Sequence, residues 1–144
     1  MTLLVGVGGA GCAAKPELAT SAPVDSLMCG SPRSGSPGRL PDRAWVELAL
    51  CPFRIVHVRS GEPVPSPSFS PPVIVRGDLH RLVAALAEPD DRSAPGLCTM
   101  KKLELPRFWL VDREGQAFEP QVPLGPCGQP SIRVVEALSA ITDK

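Results

Sequence analysis

VIVRGDLHRLVAALAE, residues 73–88, sets an extended segment directly against a helical one. Val73, Ile74 and Val75 are β-branched, and residues 73–76 read as a short strand. Asp78 follows Gly77 at the place of a helix cap, where a short carboxylate accepts a backbone N–H of the first turn. The spacing predicts a helix over 79–88, with Leu79, Leu82, Val83 and Leu86 on one face and Pro89 ending it. Arg76-Gly77-Asp78 also spells an integrin-binding tripeptide, but the cap accounts for Asp78 without it.

Upstream, AWVELALC (44–51) alternates, with Val46, Leu48 and Leu50 on one face, and Pro52 ends it. FRIVHVR (53–59) reads as a further strand that contains His57. Residues 60–72 hold five prolines and read as an extended surface loop. Downstream, 108–112 and 116–122 form a hairpin closed by Arg113-Glu114-Gly115, because Gly115 adopts positive φ at no steric cost. Phe108, Leu110 and Phe118 are expected to face the core, Trp109 to flank it, and Pro120 and Pro123 to mark an edge strand. A last helix is predicted over 132–142, capped by Ser131, with Val134, Val135, Leu138 and Ile141 as its apolar stripe. The order β-β-β-α-β-β-α implies an α+β domain, a small and mainly antiparallel sheet with two helices on one face.

The bulk numbers bound the class. A chain of 144 residues fits one domain. With 15 basic and 15 acidic residues, and no run of either sign, it lacks the clustered cations that phosphate binding requires, so nucleic acid is not an expected partner. Together, 18 Pro and 13 Gly exceed a fifth of the chain and force much of it into loops. The absence of Asn and Tyr, with 4 Lys against 11 Arg, reads as GC-rich bacterial coding. Residues 13–42 are rich in Pro, Ser, Gly and Ala and read as a flexible tether, leaving 43–144 as the domain.

VGVGGAGCAAKP (5–16) carries two competing signals. Gly6, Gly8 and Gly11 have the spacing of a dinucleotide loop, but Pro16 and Pro23 interrupt the helix that must follow. An intracellular nucleotide-binding regulator is therefore the lesser alternative. Gly9-Ala10-Gly11-Cys12 resembles a bacterial lipobox, which makes residues 1–12 a signal segment and Cys12 the lipidated residue, with the membrane reached through that anchor. Gly9 stands where the lipobox has a Leu-like residue, and no cation precedes the apolar run; an upstream start codon would account for that.

The remaining cysteines, Cys29, Cys51, Cys98 and Cys127, are even in number and lack the short spacing of zinc ligands or redox pairs. Two disulfides are expected, and of the three pairings the sequence-local one, Cys29–Cys51 with Cys98–Cys127, is favoured. No metal or cofactor is implied: Asp90-Asp91 lacks the spaced oxygens of a calcium loop, and His57 and His80 have no ligand at helical spacing.

Three stretches carry a resemblance: AWVELALCPFRIVHV (44–58), VIVRGDLHRLVAALAEPDDRSAPGLC (73–98) and FWLVDREGQAFEPQVPLGPCGQP (108–130). With the Asp112–Gly115 turn and the Cys127-Gly128 pair, they resemble small lipoproteins and secreted proteins of actinobacteria over about two thirds of the chain. The resemblance implies an extracytoplasmic, cell-envelope location and carries no activity with it. The expected function is non-enzymatic: an anchored or secreted protein that binds an envelope partner or a small ligand. The enzyme alternative is an envelope hydrolase, in which His57 or His80 would serve as the base.

Overall fold

A computed structural model describes residues 17–31, 35–52, 60–61, 69–93, 96–98 and 104–143. Five strands form one antiparallel sheet: β1 (Ser21–Pro23), β2 (Trp45–Leu50), β3 (Val73–Val75), β4 (Phe108–Asp112) and β5 (Gln116–Phe118). Their order across the sheet is β1-β5-β4-β2-β3. Helices α1 (His80–Leu86) and α2 (Ile132–Thr142) pack on one face. The expected α+β class and both expected helices are present.

Period-two alternation divides the side chains of β2 and β4 between two cores. Leu48, Phe108 and Leu110 point towards the helices, where they meet Leu79, Leu82 and Ala85 of the α1 region and Val134, Ala137 and Leu138 of α2. Ala49, Trp109 and Val111 point the other way, into a second cluster with Leu27, Cys29, Cys51 and Ala117. Both faces of the sheet are thus covered, one by helices and one by the chain around Leu27–Cys29. Every residue of β4 is buried as a result. Trp109 does not flank the core; it is 1% exposed and is the largest side chain of the second cluster.

A bulge resolves the start of β2. Trp45 opposes Asp112 and Glu47 opposes Val111, so Val46 is the extra residue and turns outward. Trp45 then joins Leu48 and Leu50 at the helix-facing core and meets Phe118 edge-on at 5.4 Å. Simple alternation assigns that place to Val46 and is off by this one residue.

The hairpin closes as its turn chemistry demands. Gly115 has φ 76°, and its N–H donates to the Asp112 carbonyl. The Asp112 carboxylate accepts from the Glu114 and Gln116 N–H groups and pairs with Arg43 at 2.8 Å. Helix α1 begins at His80 with Leu79 as its N-cap, one residue later than expected, and the Asp78 carboxylate just before it accepts the His80 N–H at 2.9 Å. Helix α1 ends at Leu86, short of the expected 88. Ser131 precedes α2, but its carbonyl, not its hydroxyl, meets the first turn.

Two further expectations need correction. β5 is not an edge strand: it pairs with β4 on one side and β1 on the other, and Pro120 and Pro123 lie beyond its last residue. Nor are residues 13–42 tether throughout, because β1 lies among them and pairs Ser21 with Phe118 and Pro23 with Gln116. The segment before β1 is also held: the Ala19 N–H donates to the Arg39 carbonyl and the Arg39 N–H to that of Glu17. Gly38 permits that approach, since a Cβ there would lie 2.5 Å from the Glu17 oxygen. The expected strand over 53–59, His57 and the glycine-rich segment with Cys12 lie outside the described residues.

Candidate functional site

Both expected disulfides form, Cys29–Cys51 and Cys98–Cys127, with Cα separations of 5.6 and 5.7 Å. Their surroundings differ sharply. Cys29 and Cys51 are 8% and 9% exposed and belong to the cluster built on Trp109. Arg107 covers that cluster, its guanidinium 4.6 Å from the Trp109 ring centroid. The same guanidinium forms a fork with Glu119 (both contacts 3.2 Å) and donates to the Ser31 carbonyl, so it joins the N-terminal segment to the sheet. The Trp109 indole N–H, buried beneath it, has no acceptor among the described residues. Cys98 and Cys127 are exposed.

Cys127 stands on the rim of a cleft of about 600 Å³ between the segment that follows α1 and the N-terminus of α2. Three short interactions set its walls. The Asp91 N–H donates to the Leu124 carbonyl (2.8 Å), and the Leu124 N–H donates to the Asp90 carboxylate (2.9 Å). Across the cleft, Arg133 pairs with Glu88 at 2.6 Å. The 124–130 loop is a compact turn in which the Gly125 N–H donates to the Gln129 carbonyl and Gly128 takes φ 72°. The Ser131 N–H then donates to Pro123, which holds the start of α2 against this turn.

The lining mixes charge with apolar surface. Arg92 and Arg133 face Glu88, Asp90 and Asp91, while Ile132 and Leu124 remain 58% and 43% exposed. Hydrogen bonds from the Ser93 hydroxyl and N–H hold the Asp91 carboxyl below its ordinary pKa. The surface therefore offers charged, polar and apolar groups side by side, and no histidine lines it.

Asp112 is a second polar feature, with a structural role. Burial alone would raise its pKa, but the Gln116 N–H, the Arg43 guanidinium and the Glu114 N–H outweigh burial and hold the carboxyl low. Arg43 also lies 5.0 Å over the Phe118 ring, which ties the hairpin to the chain before β2.

His80, the alternative catalytic base, is exposed at the start of α1, and among the described residues its imidazole is joined to no other side chain. Among the described residues no three His, Cys, Asp or Glu side chains are grouped to hold a metal ion. No helix among them is long and apolar enough to cross a membrane. Asp90 and Asp91 were visible in the sequence as a carboxylate pair; their use as loop braces depends on Leu124 and Ser93, and spacing gives no sign of the first. Comparison of the chain with protein-family models, curated proteins and solved structures returned no match.

Proposed function

We propose that the chain is a non-catalytic cell-envelope domain, secreted or held at the membrane through lipidated Cys12, that binds a small polar ligand or a partner segment in the cleft beside Cys127. The observation that carries this reading is the pair of disulfides, which fits an extracytoplasmic protein because thiols are kept reduced in the cytosol of most organisms. The cleft supports the binding role: it is concave, open and lined by cations, carboxylates and exposed apolar side chains. The lipobox-like Gly9-Ala10-Gly11-Cys12 supports the anchor.

Intact-mass analysis of the protein from its native host, with and without reductant, tests compartment and processing together. The expected species begins at Cys12, carries acyl mass and gains the mass of two reduced bonds on reductant treatment. An unprocessed chain with free thiols refutes the reading. Binding is tested by amide chemical-shift changes during titration with envelope-derived peptides and saccharides. Shifts are expected at Leu124, Gly125 and Ser131, and shifts confined to the far edge of the sheet at β3 contradict the cleft.

A further inference from the structure

The two disulfides are equivalent in the sequence and unequal in the fold. Cys29–Cys51 lies in the second core, against Trp109 and behind Arg107. Cys98–Cys127 belongs to neither core cluster, and both of its residues are exposed. Cys127 lines the open cleft, whereas Cys98 does not. Thiol–disulfide exchange needs a thiolate to reach one sulfur in line with the bond that breaks, so access decides which bond reacts.

We propose that Cys98–Cys127 is a thiol–disulfide exchange site, opened by an external dithiol whose thiolate attacks the Cys127 Sγ from the cleft, while Cys29–Cys51 stays closed. The attacking thiol loses its proton and bonds to the Cys127 Sγ; the bond to the Cys98 Sγ breaks, and Cys98 leaves as a thiolate and is protonated. The second thiol of the reagent then attacks its own partner sulfur in the mixed disulfide. Cys127 leaves, takes up a proton, and the reagent departs as a disulfide. Two electrons pass to the protein, and the dithiol is the species oxidised. The natural counterpart is a dithiol of an extracytoplasmic oxidoreductase.

The fold tolerates the opened state. The turn that carries Cys127 keeps its own hydrogen bonds, Gly125 N–H to Gln129 and Gly128 N–H to Gly125, and the Ser131 N–H remains on Pro123. Opening leaves the Asp91–Leu124 and Leu124–Asp90 bonds in place and touches neither core cluster. The exchange does not depend on what the cleft binds, so its failure and that of the binding role are separable.

The test uses the full oxidised chain, with Cys12 first blocked by iodoacetamide in the absence of reductant. Dithiothreitol is added for increasing times, the reaction is quenched with acid, and new thiols are tagged with N-ethylmaleimide and mapped by peptide mass. Cys98 and Cys127 are expected to label together, at least about tenfold faster than Cys29 and Cys51. Equal rates, or earlier labelling of Cys29 and Cys51, overturn the proposal. A parallel reaction with glutathione identifies the sulfur attacked: an adduct on Cys127 with a free Cys98 thiol supports the assignment, and an adduct mainly on Cys98 refutes it. Far-ultraviolet circular dichroism of the species reduced at Cys98–Cys127 is expected to match that of the oxidised protein, and loss of its signal contradicts a fold-preserving exchange.

Discussion

Removal of the two disulfides one at a time separates chain entropy from packing. The bonds span 22 and 29 residues. Loop-closure entropy alone assigns them about 3.4 and about 3.6 kcal/mol at 25 °C, nearly equal and slightly in favour of Cys98–Cys127. Packing reverses the order. Cys29 and Cys51 are buried in the Trp109 cluster, so truncation to Ala removes a core sulfur at each position and leaves a void. At about 0.8 kcal/mol per buried methylene-sized group, plus a cavity term, this adds about 2–3 kcal/mol for the pair. The exposed Cys98 and Cys127 add almost nothing. The double variant Cys29→Ala/Cys51→Ala is therefore expected to lose about 5.5–6.5 kcal/mol, and Cys98→Ala/Cys127→Ala about 3.6 kcal/mol. Urea unfolding of each variant, with its other disulfide intact, gives the two free energies; the slope should rise in both as the denatured chain expands. A variant at Cys29 and Cys51 that fails to fold where the other folds gives the same ranking. Equal losses, or the larger loss at Cys98–Cys127, would show that the buried sulfurs contribute no packing and refute the reasoning.

Asp112→Asn should destabilise the fold by about 1–3 kcal/mol at neutral pH, because the amide presents a donor to Arg43. The folded-state pKa of Asp112 is lowered, so its contribution is present above the unfolded carboxyl value of about 3.9 and is lost as pH falls through the folded value. Thermal melts from pH 6 down to pH 2 should show a shallower acid decline in the Asn variant, and parallel curves would contradict this. Gly115→Ala should cost about 1 kcal/mol through positive φ alone, since the new Cβ meets only Val24 Cγ1 at an ordinary 3.9 Å; chemical denaturation measures it, and a neutral result counts against the turn. Gly38→Ala drives a Cβ to 2.5 Å from the Glu17 oxygen and should cost about 1–3 kcal/mol. Hydrogen exchange should then accelerate at the Ala19 and Arg39 amides, and unchanged protection there would show that residues 17–20 do not lie against 36–39.

The elements that carry the sheet and helices were legible because each has a local cause. The Asp112–Gly115 turn needs a glycine at positive φ, and the chain supplies one. The Leu79–Leu82–Leu86 face needs only helical spacing, and Leu79 and Leu82 are buried as that spacing requires. β1 was not legible. Ser21-Ala22-Pro23 has neither an apolar run nor β-branched residues, and its ladder exists because β5 offers a free edge. Val46 and Trp109 were misplaced for related reasons: a bulge depends on the register with β4, and a strand covered on both faces shows no polar alternation. The cleft was invisible, since its walls meet through pairings such as Asp90 with Leu124 and Glu88 with Arg133, which are distant in sequence.

By itself the sequence determined the α+β class, the hairpin and both helices, and it favoured the local pairing of four cysteines among three that the structure then decided. These follow from side-chain periodicity, turn chemistry and loop closure, all of which act over short stretches of chain. Tertiary structure alone decided that one disulfide is enclosed by a tryptophan and an arginine while the other stands at the mouth of a cleft. Burial is a property of what packs around an atom, and the groups that pack around Cys29–Cys51 come from β2, β4, β5 and the segment before them.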